Sequence, residues 1–472
     1  MVVTGAGAAP EPAGTGAPAG ATRWVAVAVA TVWRDPGRPR DIDLPALAQP
    51  AALREWLAAL DVEARKDLVG RIETQVLLGQ PVVVLEDHGP WVRVAVPEQE
   101  EPGAPAGYPG WMPAWQLTGD PAWAAVAPGP GTGPAPGGRP TVTVAALTAW
   151  LYHRPHPQAR WMEVSFGTRL PVVAEPGADG DRDGAWGDGT GQAGDGWIAV
   201  AVPRPPLGAA AAGGGWQEPP SGGEPGRAAG TGAVSGPAPA AGAPAPTAGA
   251  LAPGAGAPDP AAAGAGPSRP AEDVAGSARS AGFLRPVVAW IRREDVRFDA
   301  PQGAGLTPSG AAPVAGTAPV AGAAPVDGAA PAAGTAPAAA APVSGLALLE
   351  TARRFLGLPY LWGGTSGFGV DCSGFVYLVH RFHGILIPRD AAPQRDHGGG
   401  LPVERADLQP GDLVFFAHDG GKGAVHHVGM YAGAGRMIHA PSSGRVVEEI
   451  PLDTPPYGEK YAGARRYHGR VP

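Results

Sequence analysis

The chain has 472 residues, and its 74 glycines and 58 prolines together make up more than a quarter of it. Such a content is typical of ordered domains separated by low-complexity segments. The formal net charge of -8 and the sequence pI near 5.8 exclude the basic surface of a nucleic-acid-binding protein. The single cysteine excludes an internal disulfide and is typical of a reducing compartment.

Residues 1–22 are mainly alanine, glycine, proline and threonine, so we expect a disordered tail. The apolar segment WVAVAVATVW, from Trp24 to Trp33, is as short as a secretory h-region. However, no lysine or arginine precedes Arg23, and no cleavage motif follows. The segment is therefore interpreted as a β-strand. No stretch reaches the roughly 18 apolar residues that a membrane span needs.

Residues 23–125 have the pattern of a small β-barrel with a helical insertion. Strands are predicted at 71–78, 81–87 and 91–98, because β-branched residues alternate there between turn signals. The segment 50–70 predicts a helix, since its leucines and one tryptophan recur at helical spacing.

A second β-rich barrel is predicted at 139–298. Its strand-like segments are 141–152, 169–175, 196–203 and 283–298. Residues 204–281 are rich in alanine, glycine, proline and serine and predict a disordered insertion, which costs little in loop-closure entropy. Residues 299–343 repeat a proline every six positions among small residues and predict a linker.

The last predicted domain covers residues 344–472, and its central motif is VDCSGFV. Asp371 stands at an N-cap position, and apolar residues recur at helical spacing after Cys372, which places the thiol in the first turn of a helix. There the helix dipole is expected to lower the thiol pKa from about 8.5. From the helix alone, Cys372 is explained equally well as a nucleophile or as a buried structural residue.

Three histidines lie within the segment AVHHVGMYAGAGRMIHAP, which predicts a β-hairpin with its turn centred on Ala434. In that register Gly429 lies opposite His439. His427 then shares a face with His439, and His426 points to the other face. A register shift of one residue would exchange His426 and His427.

These residues predict a thiol hydrolase in which Cys372 is the nucleophile, His427 the general base and His439 the residue that orients the base. A metallohydrolase is the enzyme alternative, with His426, His427, His439 and His418 as ligands. It fits less well, because adjacent strand histidines diverge and no carboxylate has a suitable spacing. We therefore expect no metal and no cofactor.

The motifs of the last domain follow one another in a recognisable order. They read PYLWGGTSGFGVDCSGFV, PRDA, LQPGDLVFF, HHVGMYAG and MIHAP. Residues 344–470 thereby resemble the NlpC-type papain-like peptidases of bacterial cell walls. The resemblance implies an α+β fold in which the helix that carries the cysteine packs against an antiparallel sheet that carries the histidines. It also selects His427, which directly precedes Val-Gly-Met-Tyr.

The N-terminal half resembles the γ-D-glutamyl-L-diamino-acid endopeptidases within this family. Residues 39–47, 67–79 and 107–117 are similar to their first bacterial SH3-like barrel, and SFGTRLPVV, GWIAVAVP and WIRREDV to their second. The predicted fold class is multidomain: two small all-β SH3-like barrels followed by an α+β papain-like peptidase domain, with long disordered segments rich in alanine, glycine and proline.

The resemblance also implies substrate-binding residues at matching positions. Glu73, Tyr108 and Asp390 would hold the free amine of an N-terminal L-alanine by charge-assisted hydrogen bonds. Tyr360 would contribute near the oxyanion. Ala391 stands where many relatives have a serine, so the resemblance does not carry over the substrate hydrogen bond of that serine. The other predicted groove residues are Trp362, Asp371, Ser373 and His426.

The predicted activity is hydrolysis of the γ-D-glutamyl-L-diamino-acid bond of peptidoglycan stem peptides through a thioester, with diaminopimelate or lysine as the diamino acid. We expect peptidoglycan peptides as substrates, no nucleic-acid partner, no membrane span and a monomer. A cytoplasmic location is expected because no signal peptide is recognised, and a secreted or wall-associated protein is the alternative. A peptidoglycan-binding protein with an inert last domain is the non-enzymatic alternative, against which the intact Cys372, His427 and His439 argue.

Overall fold

The computed structural model describes residues 16–129, 139–173, 196–204, 286–299 and 342–469. Most of the predicted tail, insertion and linker lies outside these ranges. The described residues form two N-terminal β units and a C-terminal α+β unit. Within them, no helix has both the length and the hydropathy to cross a membrane.

The first β unit is a seven-stranded antiparallel sheet. Its strands are β1 (Thr22–Val25), β2 (Val29–Trp33), β3 (Ile72–Leu77), β4 (Pro81–His88), β5 (Trp91–Val96), β6 (Tyr108–Pro113) and β7 (Leu117–Thr118). They lie in the order β3-β2-β6-β5-β4-β1-β7. Alternate valines of β4 and β5 are buried, such as Val82, Val84, Val92 and Val94. This period of two is expected of strands with one face in the core.

Two predicted elements of this unit are each split in two. The segment Trp24–Trp33 contributes to both β1 and β2, which are separated by residues 26–28. The predicted helix at 50–70 is interrupted at Asp61, whose side chain accepts a hydrogen bond from the Ala64 N–H and so begins a new helix. The helices of this unit are α1 (Leu44–Leu47), α2 (Leu53–Ala59), α3 (Val62–Lys66) and α4 (Pro121–Ala124).

The second β unit consists of two antiparallel sheets. Its strands are β8 (Thr141–Val144), β9 (Thr148–Tyr152), β10 (Arg160–Ser165), β11 (Arg169–Pro171), β12 (Trp197–Val202), β13 (Val287–Arg292) and β14 (Val296–Phe298). The sheets have the orders β10-β9-β13-β12 and β11-β8-β14. The predicted strands at 141–152 and 283–298 are thus each split in two. Because β12 pairs with β13, the predicted insertion lies in the sequence between two neighbouring strands of one sheet.

The C-terminal unit contains a six-stranded antiparallel sheet and a two-stranded ribbon. Its strands are β15 (Thr365–Ser366), β16 (Gly369–Val370), β17 (Leu401–Val403), β18 (Leu413–Ala417), β19 (Val425–Gly433), β20 (Arg436–His439), β21 (Glu448–Pro451) and β22 (Tyr461–Arg466). Its helices are α5 (Gly345–Arg353), α6 (Cys372–Phe382), α7 (Ala391–Asp396), α8 (His418–Gly421) and α9 (Tyr457–Lys460). The larger sheet has the order β17-β22-β18-β19-β20-β21.

Helix α6 packs against the centre of this sheet. Its apolar residues Phe375, Val376 and Val379 are fully buried in a core that includes Val428 and Met430 of β19. The spacing of these residues is the helical period read from the sequence. The predicted arrangement of a helix that carries the cysteine against an antiparallel sheet is confirmed.

A buried ion pair joins α6 to both β units. Arg381 of α6 donates from Nε to Glu98 Oε2 at 3.0 Å, and Gln80 Nε2 donates to the same oxygen at 2.6 Å. Arg381 Nη1 also donates to the carbonyl of Gly167 in the second β unit at 3.0 Å. The two charged side chains are only 6% and 4% exposed. The helix that begins with Cys372 is therefore anchored at its far end by residues of both N-terminal units.

We expect Glu98→Gln to lower the free energy of unfolding by about 3 kcal/mol, because it leaves the Arg381 charge buried without a counter-charge. Chemical denaturation followed by tryptophan fluorescence measures the change. Arg54→Gln is the control: the side chain of Arg54 is 64% exposed and pairs with Glu163, so its loss should cost about 1 kcal/mol or less. Equal losses in the two variants would contradict the structural importance of the buried pair.

Candidate active site

Cys372 is the first residue of α6, and Asp371 is its N-cap. The Asp371 carboxylate accepts a hydrogen bond from the Gly374 N–H at 2.7 Å, as an N-cap does. The first turn of the helix lies tightly against the preceding loop, because a Cβ on Gly374 would stand 2.1 Å from the carbonyl oxygen of Gly364. The predicted place of the thiol, in the first turn of a helix, is confirmed.

The electrostatic environment of the thiol differs from the expectation. Burial, followed by the negative charge of Asp371, raises the pKa of the partly buried Cys372 thiol to about 12. The Val428 and Ser373 N–H groups and the Arg389 charge act in the opposite direction. The predicted lowering of the pKa is wrong, because the loss of solvent disfavours the thiolate more than the helix dipole favours it. At rest Cys372 is therefore a protonated thiol, and it would need a base to act as the predicted nucleophile.

The predicted hairpin of β19 and β20 carries His427, the predicted base, and His439. Its register places Gly429 opposite His439, as expected, and a Cβ on Gly429 would lie 3.3 Å from the His439 Cβ. His427 Nε2 lies 2.8 Å from His439 Nδ1. Among the described residues no hydrogen bond joins Cys372 Sγ to an imidazole nitrogen. In the predicted mechanism the thiol and His427 would approach each other for proton transfer, as is common in unliganded enzymes.

Both imidazoles are neutral near pH 7. Burial, followed by the neighbouring His439 and His426, lowers the pKa of His427 well below 6.5. Burial and the positive charge of Arg445 lower the pKa of His439 to about 4. A neutral imidazole can accept the thiol proton, so His427 is in the protonation state of a general base.

Two aromatic rings that the sequence reasoning missed pack against the histidine pair. The Tyr457 ring centroid lies 5.3 Å from that of His427 and 4.8 Å from that of His439. Phe416 lies 5.7 Å from His427 and opposite it in the ladder of β18 and β19. The strand pairing could have identified Phe416, whereas nothing in the sequence around Tyr457 indicates its approach. The two rings limit the movement of the base.

His426 does not join this site. It is exposed on the face of β19 opposite to His427, and its ring packs on His418 with centroids 4.3 Å apart. The assignment of His426 to the substrate groove is therefore corrected. Within the described ranges no group of three or more His, Cys, Asp or Glu side chains is arranged to hold a metal ion. His426 and His427 point to opposite faces of β19, so the ligands that the metallohydrolase alternative requires do not gather at one site.

A buried guanidinium organises the start of α6. Arg389 is fully buried and donates from Nη2 to Asp371 Oδ2 at 2.7 Å and from Nη1 to Ser373 Oγ at 2.9 Å. Its Nε donates to Thr74 Oγ1 of β3 at 2.9 Å. Asp371 and Ser373, predicted to line the groove, are thus held mainly by this arginine. Arg389 is part of the PRDA motif, in which the sequence analysis assigns a binding role only to Asp390.

Acidic side chains gather where the first β unit meets α7. The Tyr108 hydroxyl donates to Asp390 Oδ2 at 2.8 Å, and Glu73 is within electrostatic range of Asp390. Glu101, which the sequence reasoning missed, interacts with both carboxylates. Burial is the main cause that raises the pKa of all three carboxyl groups, and their mutual repulsion adds to it for Glu73 and Glu101. A bound cation would stabilise this cluster.

Tyr360 and Trp362 lie in the loop before the nucleophile. Burial, followed by the nearby Cys372, raises the pKa of Tyr360, so its hydroxyl stays protonated beside the thiol. The Tyr360 carbonyl accepts a hydrogen bond from Arg65 of α3 at 3.5 Å. Trp362 is 36% exposed and donates from Nε1 to the Ile72 carbonyl of β3 at 3.1 Å. Trp362 therefore ties the loop to the first β unit.

Comparison with known proteins identifies this arrangement. The model of the NlpC/P60 family matches residues 357–466, and the model described as the YKFC SH3b2 domain matches residues 144–179. A Bacillus cereus protein named gamma-D-glutamyl-L-lysine dipeptidyl-peptidase is 32% identical over 446 residues, which are 94% of this chain and 90% of that protein. This chain belongs to the NlpC/P60 family.

Two further proteins match nearly the whole chain. A Bacillus subtilis protein with the same printed name is 28% identical over 441 residues, or 93% of this chain and 96% of that protein. The crystal structure of an NlpC/P60 family protein from Bacillus cereus is 31% identical and covers 96% of this chain and 100% of its own, with a TM-score of 0.60. The prediction of an NlpC-type cysteine peptidase with an SH3b domain is confirmed.

Because Arg389 lowers and Asp371 raises the pKa of the Cys372 thiol, Arg389→Met should raise this pKa further. We expect alkylation of Cys372 by iodoacetamide at a fixed pH to slow by roughly tenfold, the equivalent of one pKa unit. Mass spectrometry of the labelled protein measures the rate.

Two further variants control the Arg389 experiment. Arg389→Lys keeps the charge and should stay closer to the wild-type rate. Arg395→Met removes an arginine of α7 that is bound to Asp396 and should leave the rate unchanged. An unchanged rate in Arg389→Met would contradict the electrostatic role of the buried guanidinium.

Proposed function

We propose that this NlpC/P60 cysteine peptidase hydrolyses the γ-D-glutamyl-L-diamino-acid bond of peptidoglycan stem peptides that have a free N-terminal L-alanine. The observation that carries the proposal is the cluster of Glu73, Glu101, Asp390 and Tyr108 beside the nucleophile helix. The printed names of the two Bacillus relatives, gamma-D-glutamyl-L-lysine dipeptidyl-peptidase, agree with this substrate class. The diamino acid is lysine or diaminopimelate.

The acidic cluster suits an ammonium group. Each carboxylate has a pKa raised mainly by burial, so a buried positive charge would favour the ionised forms and form charge-assisted hydrogen bonds with them. Glu73 pairs with Arg34 at 3.4 Å and also feels the charge of Arg389, and Asp390 is 3.6 Å from Arg389. An N-acylated alanine lacks the positive charge and carries an additional acyl group. The site should discriminate against it both because the attraction to the carboxylates is lost and because the acyl group would clash.

In this proposal the first β unit would form one wall of the substrate groove. Helix α3 contacts the peptidase unit, because Arg65 binds the Tyr360 carbonyl and Val62 lies 3.0 Å from where a Cβ on Gly444 would stand. A longer glycan-linked stem peptide would meet this wall, whereas a small peptide with a free amine would end there. We also propose that the two N-terminal β units are two SH3-like barrels, and that the first one closes the groove.

The proposed reaction proceeds through a thioester. Cys372 Sγ attacks the γ-glutamyl carbonyl carbon while its proton passes to His427. The His427 imidazolium then gives this proton to the amine of the departing diamino acid, and the thioester remains on Cys372. A water molecule, deprotonated by His427, attacks the thioester, releases L-Ala-γ-D-Glu and restores the thiol. Tyr360, whose hydroxyl stays protonated near the thiol, would donate to the oxyanion.

The preference for small peptides with a free amine also supports a location where such peptides accumulate. We propose a cytoplasmic enzyme that acts on recycled wall peptides, with secretion to the wall as the alternative. Fractionation of cells followed by immunoblotting separates the two.

The purified protein should cleave L-Ala-γ-D-Glu-diaminopimelate or its lysine counterpart and release the dipeptide, whereas the N-acetylated tripeptides should be cleaved poorly or not at all. Liquid chromatography with mass spectrometry measures the products. Cys372→Ala should be inactive, iodoacetamide should abolish the wild-type activity and a chelator should leave it intact. Equal cleavage of the free and the acetylated peptide would reject the proposed specificity, and inhibition by the chelator alone would reject the thiol mechanism.

Asp390→Asn should raise the KM for the free-amine tripeptide about tenfold or more, because a hydrogen bond to a charged group contributes about 1.5 kcal/mol or more. In the wild type the KM should also rise as the pH falls, because protonation of carboxyls with a raised pKa neutralises the cluster. This rise should begin at a higher pH than for an ordinary carboxyl. Asp396→Asn, at the end of the helix that follows Asp390 and bound to Arg395, is the control. A KM in Asp390→Asn like that of this control would contradict the amine site.

A further inference from the structure

The hydrogen bond between His427 and His439 has two possible directions. Both rings are neutral near pH 7, so each carries one ring proton, and the 2.8 Å contact of His427 Nε2 with His439 Nδ1 needs one donor and one acceptor. If His427 donates, its Nδ1 has a free lone pair that can take the thiol proton. If His439 donates, the proton of His427 is on Nδ1 and the ring cannot act as the base. Activity therefore requires the first arrangement.

The far nitrogen of His439 distinguishes the two arrangements. Nε2 is buried, and within the described residues it makes no well-aligned hydrogen bond. The nearest carboxylate oxygen is Glu448 Oε1, 3.4 Å away. Glu448 lies directly opposite His439 in the ladder of β20 and β21. A proton on Nε2 would face this acceptor, whereas a bare Nε2 would face it lone pair to lone pair and remain unsatisfied.

We propose that Glu448 is a positioning residue that selects the tautomer of the catalytic histidine pair. Glu448 keeps the proton of His439 on Nε2, so His439 Nδ1 is the acceptor for His427 Nε2–H. His427 Nδ1 is then left as the base for Cys372. The inference rests on the roles proposed above for Cys372 and His427, and adds a fourth residue that touches neither the substrate nor the thiol.

The other charged groups near His439 fit this role. Arg445 donates from Nη2 to the same Glu448 oxygen, which holds the carboxylate beside the ring. Its positive charge also disfavours protonation of His439, so the ring stays a neutral relay rather than an imidazolium. The next residue, Glu449, lies opposite Ile438 and binds Arg436 at 3.0 Å. It is chemically identical to Glu448 but is turned away from the histidines.

The test compares Glu448→Leu, Glu448→Gln and the matched control Glu449→Leu in the tripeptide assay. Leucine removes the acceptor, whereas glutamine keeps a carbonyl oxygen that can accept from Nε2–H. We expect kcat to fall about tenfold in Glu448→Leu, because the Nε2–H tautomer loses the acceptor that favours it, with an unchanged KM. Both Glu448→Gln and Glu449→Leu should keep a kcat within about twofold of the wild type. Glutamine retains an oxygen that accepts from Nε2–H, and Glu449 is turned away from the histidines.

NMR of the histidine ring nitrogens supplies the second readout. It should show His439 protonated on Nε2 in the wild type and in Glu448→Gln, and a population protonated on Nδ1 in Glu448→Leu. Equal loss of kcat in both Glu448 variants, no loss in Glu448→Leu, or a wild-type His439 protonated on Nδ1 would overturn the proposal. If Glu448→Leu does not fold, Glu448→Gln decides. A large loss of kcat or a His439 protonated on Nδ1 in that variant would overturn the proposal. If the wild-type protein does not cleave the tripeptide, the proposed function is refuted. The NMR measurement still shows which nitrogen of His439 carries the proton.

Discussion

The buried guanidinium of Arg389 is the group on which the rest of the site depends. It binds the N-cap of the nucleophile helix through Asp371, the first β unit through Thr74, and it lies 3.6 Å from Asp390 of the acidic cluster. A buried charge is tolerated only when its donors and counter-charges are matched. Because Arg389 satisfies this requirement with partners from separate parts of the chain, the nucleophile and the proposed amine site are held in one fixed relation.

The proposed chemistry divides between the two sides of this arginine. On one side, a protonated thiol and a neutral imidazole await proton transfer, since burial disfavours both ionised forms. On the other side, burial raises the pKa of Glu73 and of Asp390, so an added positive charge would stabilise their ionised forms. In the proposed binding mode, a peptide that brings its ammonium to the carboxylates would present its γ-glutamyl carbonyl to the thiol. Binding energy from the distant amine would thereby orient the reacting bond, which is how remote contacts assist catalysis.

The catalytic elements could be predicted because their signals are local. Asp371 as an N-cap, the apolar spacing after Cys372 and the turn at Ala434 each depend on a few adjacent residues, and the structure contains all three. The pairing of His427 with His439 follows from the period of two along each strand. The split helix at Asp61 was harder to predict, because one capping hydrogen bond outweighs a continuous apolar stripe.

The sequence by itself determined that Cys372 begins a helix, that His427 shares a face with His439 in the predicted hairpin register, and the succession of β-rich and α+β units. Only the tertiary structure decided the ionisation of Cys372, the partners of Arg389 and the approach of Glu101 to the acidic cluster. Periodicity and capping act over a few residues, whereas desolvation and charge pairing depend on groups brought together from distant parts of the chain. The thiol pKa shows the difference: a favourable helix terminus, read correctly from the sequence, is outweighed by burial that only packing creates.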